Sequence, residues 1–295
     1  MYFKIKVFIT ILFTCSLLSQ RNYPPVIKSD KVITFKKTNE VDLKLWFFYP
    51  KNHKVDDKAP SIIFFFGGGW HGGSPEQFVQ QAKFLARQGL VSVISDYRVK
   101  SRNNTEAVYC LKDAKSAIRW LRENSNSIGI DPNKIIGSGG SSGGHLAAAS
   151  GTISYFDEKN ENLKISSKPN AMVLFNPVVI VSPVKEYQKF DANSPRNKYL
   201  KKRIGVDPEK FSPYNYIDKN TPPTLIFHGT NDQLVDFKTV ELFDKKMKEN
   251  GNFCELHLFE GENHGFFNYN RKSQIPFNDT MIKTKQFLKS IGFLK

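Results

Sequence analysis

The stretch Gly139-Gly-Ser-Ser-Gly-Gly144 decides how this chain of 295 residues is interpreted. It follows Lys134-Ile-Ile-Gly137, which is typical of a short buried strand, and it precedes His145-Leu-Ala-Ala-Ala-Ser150, which suits a helix. When a serine lies on a strand-to-helix turn, the residues two positions before and after it must have almost no side chain, because the backbone doubles back there. Glycines occupy both of those positions. The pattern predicts that Ser141 is a candidate nucleophile, although small residues also cluster in ordinary loops.

Two later segments supply a carboxylate and a histidine. Residues 224–228 read as a strand that leads to Asp232, and residues 253–259 read as a strand that leads to His264. The spacing is 91 residues from Ser141 to Asp232 (232 − 141) and 32 from Asp232 to His264 (264 − 232). The order serine, acid, histidine is the order used in the α/β-hydrolase fold. A hydroxyl becomes a good nucleophile when a neutral imidazole takes its proton, and a carboxylate holds that imidazole in the required tautomer.

A glycine-rich loop follows a third buried strand. Residues 61–66 form a continuous apolar run, as expected for a strand covered on both faces, and residues 67–73 contain five glycines. Such a loop brings bare backbone N–H groups close to a substrate oxygen. We predict that the amides of Gly68, Gly69 and Ser142 form an oxyanion hole.

Six short motifs together resemble one known family. The motifs are Phe66-Gly-Gly-Gly-Trp70, Asp96-Tyr-Arg98, Asp113-Ala-Lys-Ser-Ala-Ile-Arg-Trp120, Gly139-Gly-Ser-Ser-Gly-Gly-His-Leu-Ala-Ala148, His228-Gly-Thr-Asn-Asp232 and His264-Gly-Phe-Phe267. With these motifs the chain resembles the α/β-hydrolase esterases related to hormone-sensitive lipase, and most of all their bacterial acetyl-xylan/feruloyl-esterase-like branch.

The resemblance implies a set of roles and one departure. It implies that Ser141 is the nucleophile, Asp232 the acid and His264 the base, with the oxyanion donors predicted above. The family usually has a histidine at the position of Phe66, where it helps to fix the glycine loop by hydrogen bonding. The expected activity is hydrolysis of short-chain acyl esters, including acetyl groups on carbohydrate. The two alternatives are a serine peptidase of the same fold and a catalytically silent binding protein.

Other titratable residues have simpler interpretations. His145 lies four residues after Ser141 on the predicted helix and points along that helix rather than toward the serine. Asp236 sits where the cap of the following helix is expected. Asp96 and Asp113 belong to motifs that recur in the family without catalytic duty, so we expect structural ion pairs or hydrogen bonds there.

The order of elements predicts the fold class. Alternating strands and helices with buried apolar strands indicate an α/β protein with a mostly parallel eight-stranded sheet and helices on both faces. The resemblance implies the α/β-hydrolase fold with a small cap insertion. We predict strands near 31–37, 43–49, 61–66, 91–96, 134–138, 171–176, 224–228 and 253–259.

One segment between strands has a different composition. Residues 178–220 are rich in proline, lysine and tyrosine, and they lie where these hydrolases insert a cap over the pocket. We expect a small, partly helical lid there. Trp70, directly after the glycines, is the predicted substrate contact.

The amino terminus predicts where the protein works. Lys4 and Lys6 precede a 12-residue apolar run at positions 7–18, which is too short to span a membrane and reads as a secretory signal peptide over residues 1–19. The expected location is therefore secreted or periplasmic, with residues 20–295 forming a single domain. Thr14 is a poor residue before a lipidated cysteine, so lipoprotein anchoring at Cys15 is not expected. No later segment reads as a stable membrane insertion.

The charge and the cysteine content limit which other functions the sequence predicts. The formal net charge is +15, and removing residues 1–19 with their two lysines leaves +13. A signal-bearing chain without a basic motif or an aromatic-interleaved stripe is not expected to bind nucleic acid. Cys110 and Cys254 show no metal-ligand spacing, and we expect buried free thiols, with a single disulfide as the alternative. Serine chemistry needs no cofactor and no metal. The predicted partner is a small ester or an acylated carbohydrate substrate.

Overall fold

The computed structural model describes residues 23–269, 271 and 273–295, so the predicted signal peptide and Cys15 lie outside the described residues. The described strands are β1 (Lys31–Lys37), β2 (Asp42–Phe48), β3 (Ala59–Phe65), β4 (Val91–Ser95), β5 (Ile130–Gly140), β6 (Ala171–Phe175), β7 (Thr224–Gly229) and β8 (Cys254–Phe259). The described α-helices are α1 (Val79–Ala86), α2 (Lys100–Asn103), α3 (Ala107–Glu123), α4 (Ser125–Ile128), α5 (Ser142–Thr152), α6 (Pro195–Ile204), α7 (Pro208–Phe211), α8 (Lys238–Glu249) and α9 (Ile275–Ser290).

The strands form one sheet of eight in the order β1-β2-β4-β3-β5-β6-β7-β8. The pairs β1–β2 and β2–β4 are antiparallel, and all the other neighbours are parallel. The prediction of a mostly parallel eight-stranded sheet is confirmed, and each strand lies within a few residues of its predicted position.

Both faces of the sheet are covered because successive side chains of each strand point to opposite sides. On β3, Ile63 and Phe65 pack into a core with helices α3, α5 and α8, whereas Ile62 and Phe64 pack into a second core with α1 and α9. The apolar stripe of α3 is fully buried in the first core. Burial on both sides accounts for the continuous apolar run in the β3 sequence.

The register of the parallel strands brings four loops to one edge. Phe65 at the end of β3 pairs with Gly139 of β5, and Gly229 at the end of β7 pairs with Phe259 of β8. The loops that follow β3, β5, β7 and β8 therefore leave the sheet side by side. Ligand sites of open α/β sheets form at this carboxyl edge.

Two further predictions concern local structure. The segment 178–220 is partly helical, as expected, and contains α6, α7 and a short 3-10 helix at Pro213–Tyr216. The pattern Ser74-Pro-Glu-Gln77, with a capping residue and a proline in the first turn, predicts a helix start, and this is only partly right because Pro75–Phe78 forms a 3-10 turn before α1 begins. Within the described ranges, each helix is too short or too polar to cross a membrane.

Candidate active site

The turn that carries Ser141 is strained in the way the sequence requires. Ser141 has φ 54° and ψ −118°, a conformation that non-glycine residues rarely adopt. A Cβ on Gly143 would lie 2.0 Å from the carbonyl oxygen of Phe65, and one on Gly139 would lie 2.5 Å from the carbonyl carbon of Gly143. Only glycine fits at these two positions. The turn is held by the Ser141 N–H, which donates to the Phe175 carbonyl at 2.9 Å.

The structure brings together the three residues predicted to act as nucleophile, base and acid. His264 Nε2 lies 3.0 Å from Ser141 Oγ, and His264 Nδ1 lies 2.6 Å from Asp232 Oδ2. Asp232 is buried, whereas the side chain of His264 is 19% exposed. The three side chains come from loops 91 and 32 residues apart in sequence, which the sheet register places side by side.

The Asp232 carboxylate is held in its ionised form by several donors. Its Oδ1 accepts hydrogen bonds from the backbone N–H groups of Leu234 and Val235, each at 2.9 Å. His228 Nε2 lies 3.2 Å from Oδ2 and 2.9 Å from the Val235 carbonyl, so Nε2 carries the proton. Burial alone would raise the pKa of Asp232, but the hydrogen bonds from His228 and His264 outweigh it and hold the pKa well below its usual range.

Asn176 fixes the loop that carries His264. This fully buried residue lies directly after β6, with φ 34°, and its Oδ1 accepts a hydrogen bond from the Gly265 N–H at 2.8 Å. The contact joins residues 89 positions apart in sequence. Its position at a strand end was a signal that it could face the pocket, but the sequence pattern does not predict this partner.

The glycine loop after β3 folds tightly on itself. Gly68 and Gly69 have φ values of 135° and 62°, and the Gly68 carbonyl accepts from the N–H groups of His71 and Gly72 at 3.0 and 3.1 Å. Gln77 Oε1 accepts from the Gly67 N–H at 2.6 Å. The Gln77 side chain therefore holds the start of this loop.

The predicted substrate contact, Trp70, is only 3% exposed. Its indole packs edge-on against His145 at a centroid distance of 5.0 Å and lies 5.9 Å from the Phe211 ring. This packing anchors the middle of the glycine loop on α5 and α7. Direct contact between Trp70 and a substrate stays a prediction.

The competing residues occupy structural positions. His145 Nε2 bonds the Phe211 carbonyl at 2.7 Å rather than Ser141, and burial lowers the pKa of His145 to about 4 despite that hydrogen bond. Asp236 was expected at the cap of α8 but lies one residue before the N-cap, Phe237, and its Oδ1 accepts from the N–H of Lys238, the first residue of that helix. Asp113 receives two side-chain hydrogen bonds from Arg98 at 2.7 and 2.8 Å, as expected for a structural ion pair.

The described part of the chain contains no cluster of three or more histidine, cysteine, aspartate or glutamate side chains that could hold a metal ion. Cys110 and Cys254 are both buried and unpaired, so the alternative of a disulfide between them is not realised. Burial raises the pKa of the Cys110 thiol to about 12. Neither thiol is poised as a nucleophile.

The doubly covered parallel sheet and the serine on a strand-to-helix turn define an α/β-hydrolase. Residues 45–247 match the family model BD-FAE, and the chain belongs to that family. The predicted resemblance to α/β-hydrolase esterases is thereby confirmed.

Solved structures of one bacterial esterase are similar to this chain over most of its length. Esterase 2 of Thermogutta terrifontis, in a form phosphonylated by sarin, has a TM-score of 0.89 and 44% sequence identity, and the match covers 92% of this chain and 99% of that chain. The same esterase is also described with propionate bound and with butyrate bound.

Curated relatives are more distant and longer. Esterase LipC of Mycobacterium tuberculosis is 28% identical over 70% of this chain and 53% of its own length. The acetylxylan esterase of Xylanibacter ruminicola is 24% identical over 88% of this chain and 50% of its own length. The chain thus spans about half the length of these two relatives.

Proposed function

We propose that this protein is a serine carboxylester hydrolase that acts on short-chain acyl esters through an acyl-enzyme. One observation carries the proposal: His264 lies within hydrogen-bond distance of both Ser141 Oγ and Asp232 Oδ2, at 3.0 and 2.6 Å. A nucleophile, a base and an orienting acid in this geometry are the parts that acyl transfer requires.

The first half of the reaction forms the acyl-enzyme. His264 Nε2 takes the proton of Ser141 Oγ as Oγ attacks the ester carbonyl carbon, and the carbonyl electron pair moves onto oxygen. The backbone N–H groups of Gly68, Gly69 and Ser142 stabilise this oxyanion, each donor contributing about 3 to 4 kcal/mol. When the intermediate collapses, the bond to the alcohol oxygen breaks and His264 gives its proton to the leaving alcohol.

The second half regenerates the enzyme. Water gives a proton to His264 as its oxygen attacks the acyl carbon, and a second oxyanion forms in the same place. Collapse breaks the bond to Ser141 Oγ, which recovers its proton from His264, and the carboxylic acid leaves. Asp232, held ionised, stabilises the imidazolium in both halves.

Similarity and the surroundings of the site support a short acyl group. Propionate and butyrate are bound in structures of the esterase that is 44% identical to this chain. Bulky side chains flank the glycine loop on both sides, at Phe66 and Trp70. In this proposal they limit the depth of the acyl site.

The alcohol half of the substrate is proposed to be a carbohydrate. The acetylxylan esterase of Xylanibacter ruminicola matches 88% of this chain. A cavity of about 540 Å³ lies between the cap segment and the loop of Asp232, and its lining combines the aromatic rings of Phe190 and Phe237 with the amides of Asn197 and Gln233. Rings and amides together suit the apolar faces and the hydroxyl groups of a sugar.

Neither the described structure nor the similar proteins favour a peptidase or a silent binding protein.

The proposed location is the exterior of the cytoplasmic membrane, and it depends on the signal peptide predicted at residues 1–19. The mature protein purified from culture medium or periplasm should begin near residue 20, and a retained amino terminus in the cytoplasm would contradict this location.

Hydrolysis of p-nitrophenyl esters from acetyl to palmitoyl tests the activity and the acyl preference together. We expect the highest kcat/KM between acetyl and butyryl, with a graded decline because apolar pockets discriminate by about 1 to 3 kcal/mol per methylene. Ser141→Ala should lower kcat by about 10⁴- to 10⁶-fold. Acetylated and feruloylated glycans test the alcohol half.

The matched control for Ser141→Ala is Ser150→Ala, on the same helix, where the hydroxyl bonds only the Leu146 carbonyl. We expect this variant to remain active.

A maximum at decanoyl or longer esters would instead indicate a lipase-like enzyme, and substantial activity in folded Ser141→Ala would rule out the assigned nucleophile.

A further inference from the structure

The loop that carries the proposed oxyanion donors lacks the histidine that the family usually has ahead of its glycines. Phe66 occupies that position, and its ring is stacked on Tyr97 with the centroids 4.0 Å apart and the planes at 15°. The Tyr97 hydroxyl donates to the Phe66 carbonyl at 2.6 Å. The start of the loop is therefore fixed by a neighbouring strand end rather than by a histidine.

A single arginine connects this ring to the far end of the loop. The guanidinium carbon of Arg102 lies 5.7 Å from the centroid of the Phe66 ring, and Arg102 Nη1 donates to the Gly73 carbonyl at 2.7 Å. A Cβ on Gly73 would lie 2.6 Å from Phe66 Cδ2, so the ring packs directly on the loop backbone. Arg102 thus contacts both the first and the last residue of the segment 66–73.

The arginine is itself held by the first residue that the structure describes. The guanidinium carbon of Arg102 lies 3.8 Å from the centroid of the Tyr23 ring, and Arg102 Nη2 donates to the Tyr23 hydroxyl at 3.0 Å. The Tyr23 hydroxyl in turn donates to the buried Asp96 carboxylate. A planar guanidinium suits this arrangement because it stacks on rings and donates in two fixed directions at once.

The segment between these anchors has other supports as well, since Gln77 accepts from the Gly67 N–H, and the N–H groups of Lys100 and Ser101 donate to the carbonyls of Trp70 and His71. Gly68, Gly69 and Gly73 have positive φ values and no side chains, so the order of the loop depends on contacts of this kind. Oxyanion donors are effective only when they are already aligned before the charge develops. The contacts that hold the ends of the loop therefore bear on the rate of the chemical step.

We propose that Arg102, held by Tyr23, is a positioning residue that keeps the glycine loop aligned for catalysis and takes the place of the missing family histidine. This inference rests on the proposed esterase function. It also makes the amino-terminal segment of the mature protein part of the support for the site.

The test compares Arg102→Met, which removes the donors and the charge, with Arg87→Met, at an exposed arginine after α1. We expect Arg102→Met to lower kcat for p-nitrophenyl acetate by about tenfold or more with little change in KM, because misaligned donors affect the transition state rather than substrate binding. Arg87→Met should match the wild type.

A second measurement separates positioning from stability. A phenethyl trifluoromethyl ketone adds to the nucleophile and forms an oxyanion, so its Ki should rise in Arg102→Met by the same factor as kcat/KM falls. Melting temperatures are recorded for each variant. An unchanged kcat, or a rise in KM alone, would overturn the inference.

Tyr23→Phe keeps the inference testable if Arg102→Met does not fold. This variant retains the ring over the guanidinium but lacks the hydroxyl between Arg102 and Asp96, so we expect a smaller fall in kcat, again with KM unchanged. If Arg102→Met does not fold, an unchanged kcat in Tyr23→Phe would overturn the inference. If the wild type and Arg87→Met hydrolyse esters and Arg102→Met does so equally well, only this inference fails. If the wild type hydrolyses no ester, the proposed function itself fails.

Discussion

At the scale of the residue, the protonation of three side chains governs the site. Asp232 accepts hydrogen bonds from two backbone N–H groups and lies against two imidazoles, which keeps its pKa well below the usual range. His145, although close to Ser141 in sequence, is buried against Phe211 and its pKa is lowered to about 4. His264 is therefore the imidazole that lies within hydrogen-bond distance of Ser141 Oγ, and it must be neutral to accept the serine proton.

The pH profile of kcat/KM tests this assignment. Activity should fall on acidification with a limiting slope of one on a logarithmic plot, because the base must be neutral to accept the Ser141 proton, whereas Asp232, whose pKa is held low, stays ionised. A slope of two would show that a second group is protonated in the same range. His264→Ala should be inactive and His145→Gln active, and the reverse result would contradict the assigned base.

The Asp232 carboxylate also makes the stability of the fold depend on pH. The pKa of Asp232 is lower in the folded protein than in the unfolded chain, so its ionised form stabilises the fold above about pH 4, and this stabilisation is lost as the pH falls through the folded value.

At the scale of the element, the strand-to-helix turn between β5 and α5 is the tightest part of the site. Gly143 lies against the end of β3, so that a Cβ would fall 2.0 Å from the Phe65 carbonyl oxygen and 2.4 Å from that of Phe66. Gly69, in the neighbouring loop, has φ 62°, but an added Cβ would have no described atom within 4 Å. Gly143 is therefore required because a side chain does not fit there, and Gly69 because its positive φ disfavours other residues.

Alanine substitutions distinguish these two requirements. Gly143→Ala should lower the free energy of unfolding by more than about 4 kcal/mol, because the clash involves backbone atoms that cannot move aside. Gly69→Ala should cost only about 1 to 2 kcal/mol of left-handed strain. Urea denaturation of both variants measures the difference, and equal losses would contradict the geometry of the turn.

Much of the sheet and the site was predictable at this scale, because strand patterns are local. The loops with Ser141, Asp232 and His264 each follow a run of apolar residues, and a parallel sheet places such loops at one edge. The supports could not be predicted, because Gln77, Asn176 and Arg102 act through partners 10, 89 and 29 residues away in sequence. At Gln77 the local pattern indicates only the start of a helix and does not predict that the side chain holds the glycine loop.

At the scale of the whole molecule, the excess of basic side chains sets the long-range electrostatics. The formal net charge is +13 without residues 1–19, and helix α6 exposes Lys198, Lys201 and Lys202 with no acidic residue in the helix. A field of this sign attracts anionic substrates and is screened by salt.

Salt should therefore act differently on two matched esters. Between about 0.01 and 0.5 M NaCl, we expect kcat/KM for the anionic 4-acetoxybenzoate to fall on the order of threefold, because screening shortens the reach of the charges. For the neutral phenyl acetate we expect no comparable change. Parallel responses of the two esters would show that the basic surface does not steer substrates.

Ser141 is the proposed nucleophile, and covalent labelling by a fluorophosphonate followed by mass spectrometry measures its reactivity directly. Such a reagent reacts with a serine that an adjacent base activates. We predict one adduct per chain, located on the peptide that contains Ser141, formed in step with the loss of esterase activity and absent from Ser141→Ala. Inactivation with the label on another residue, or full activity in a protein labelled at Ser141, would show that Ser141 is not the nucleophile.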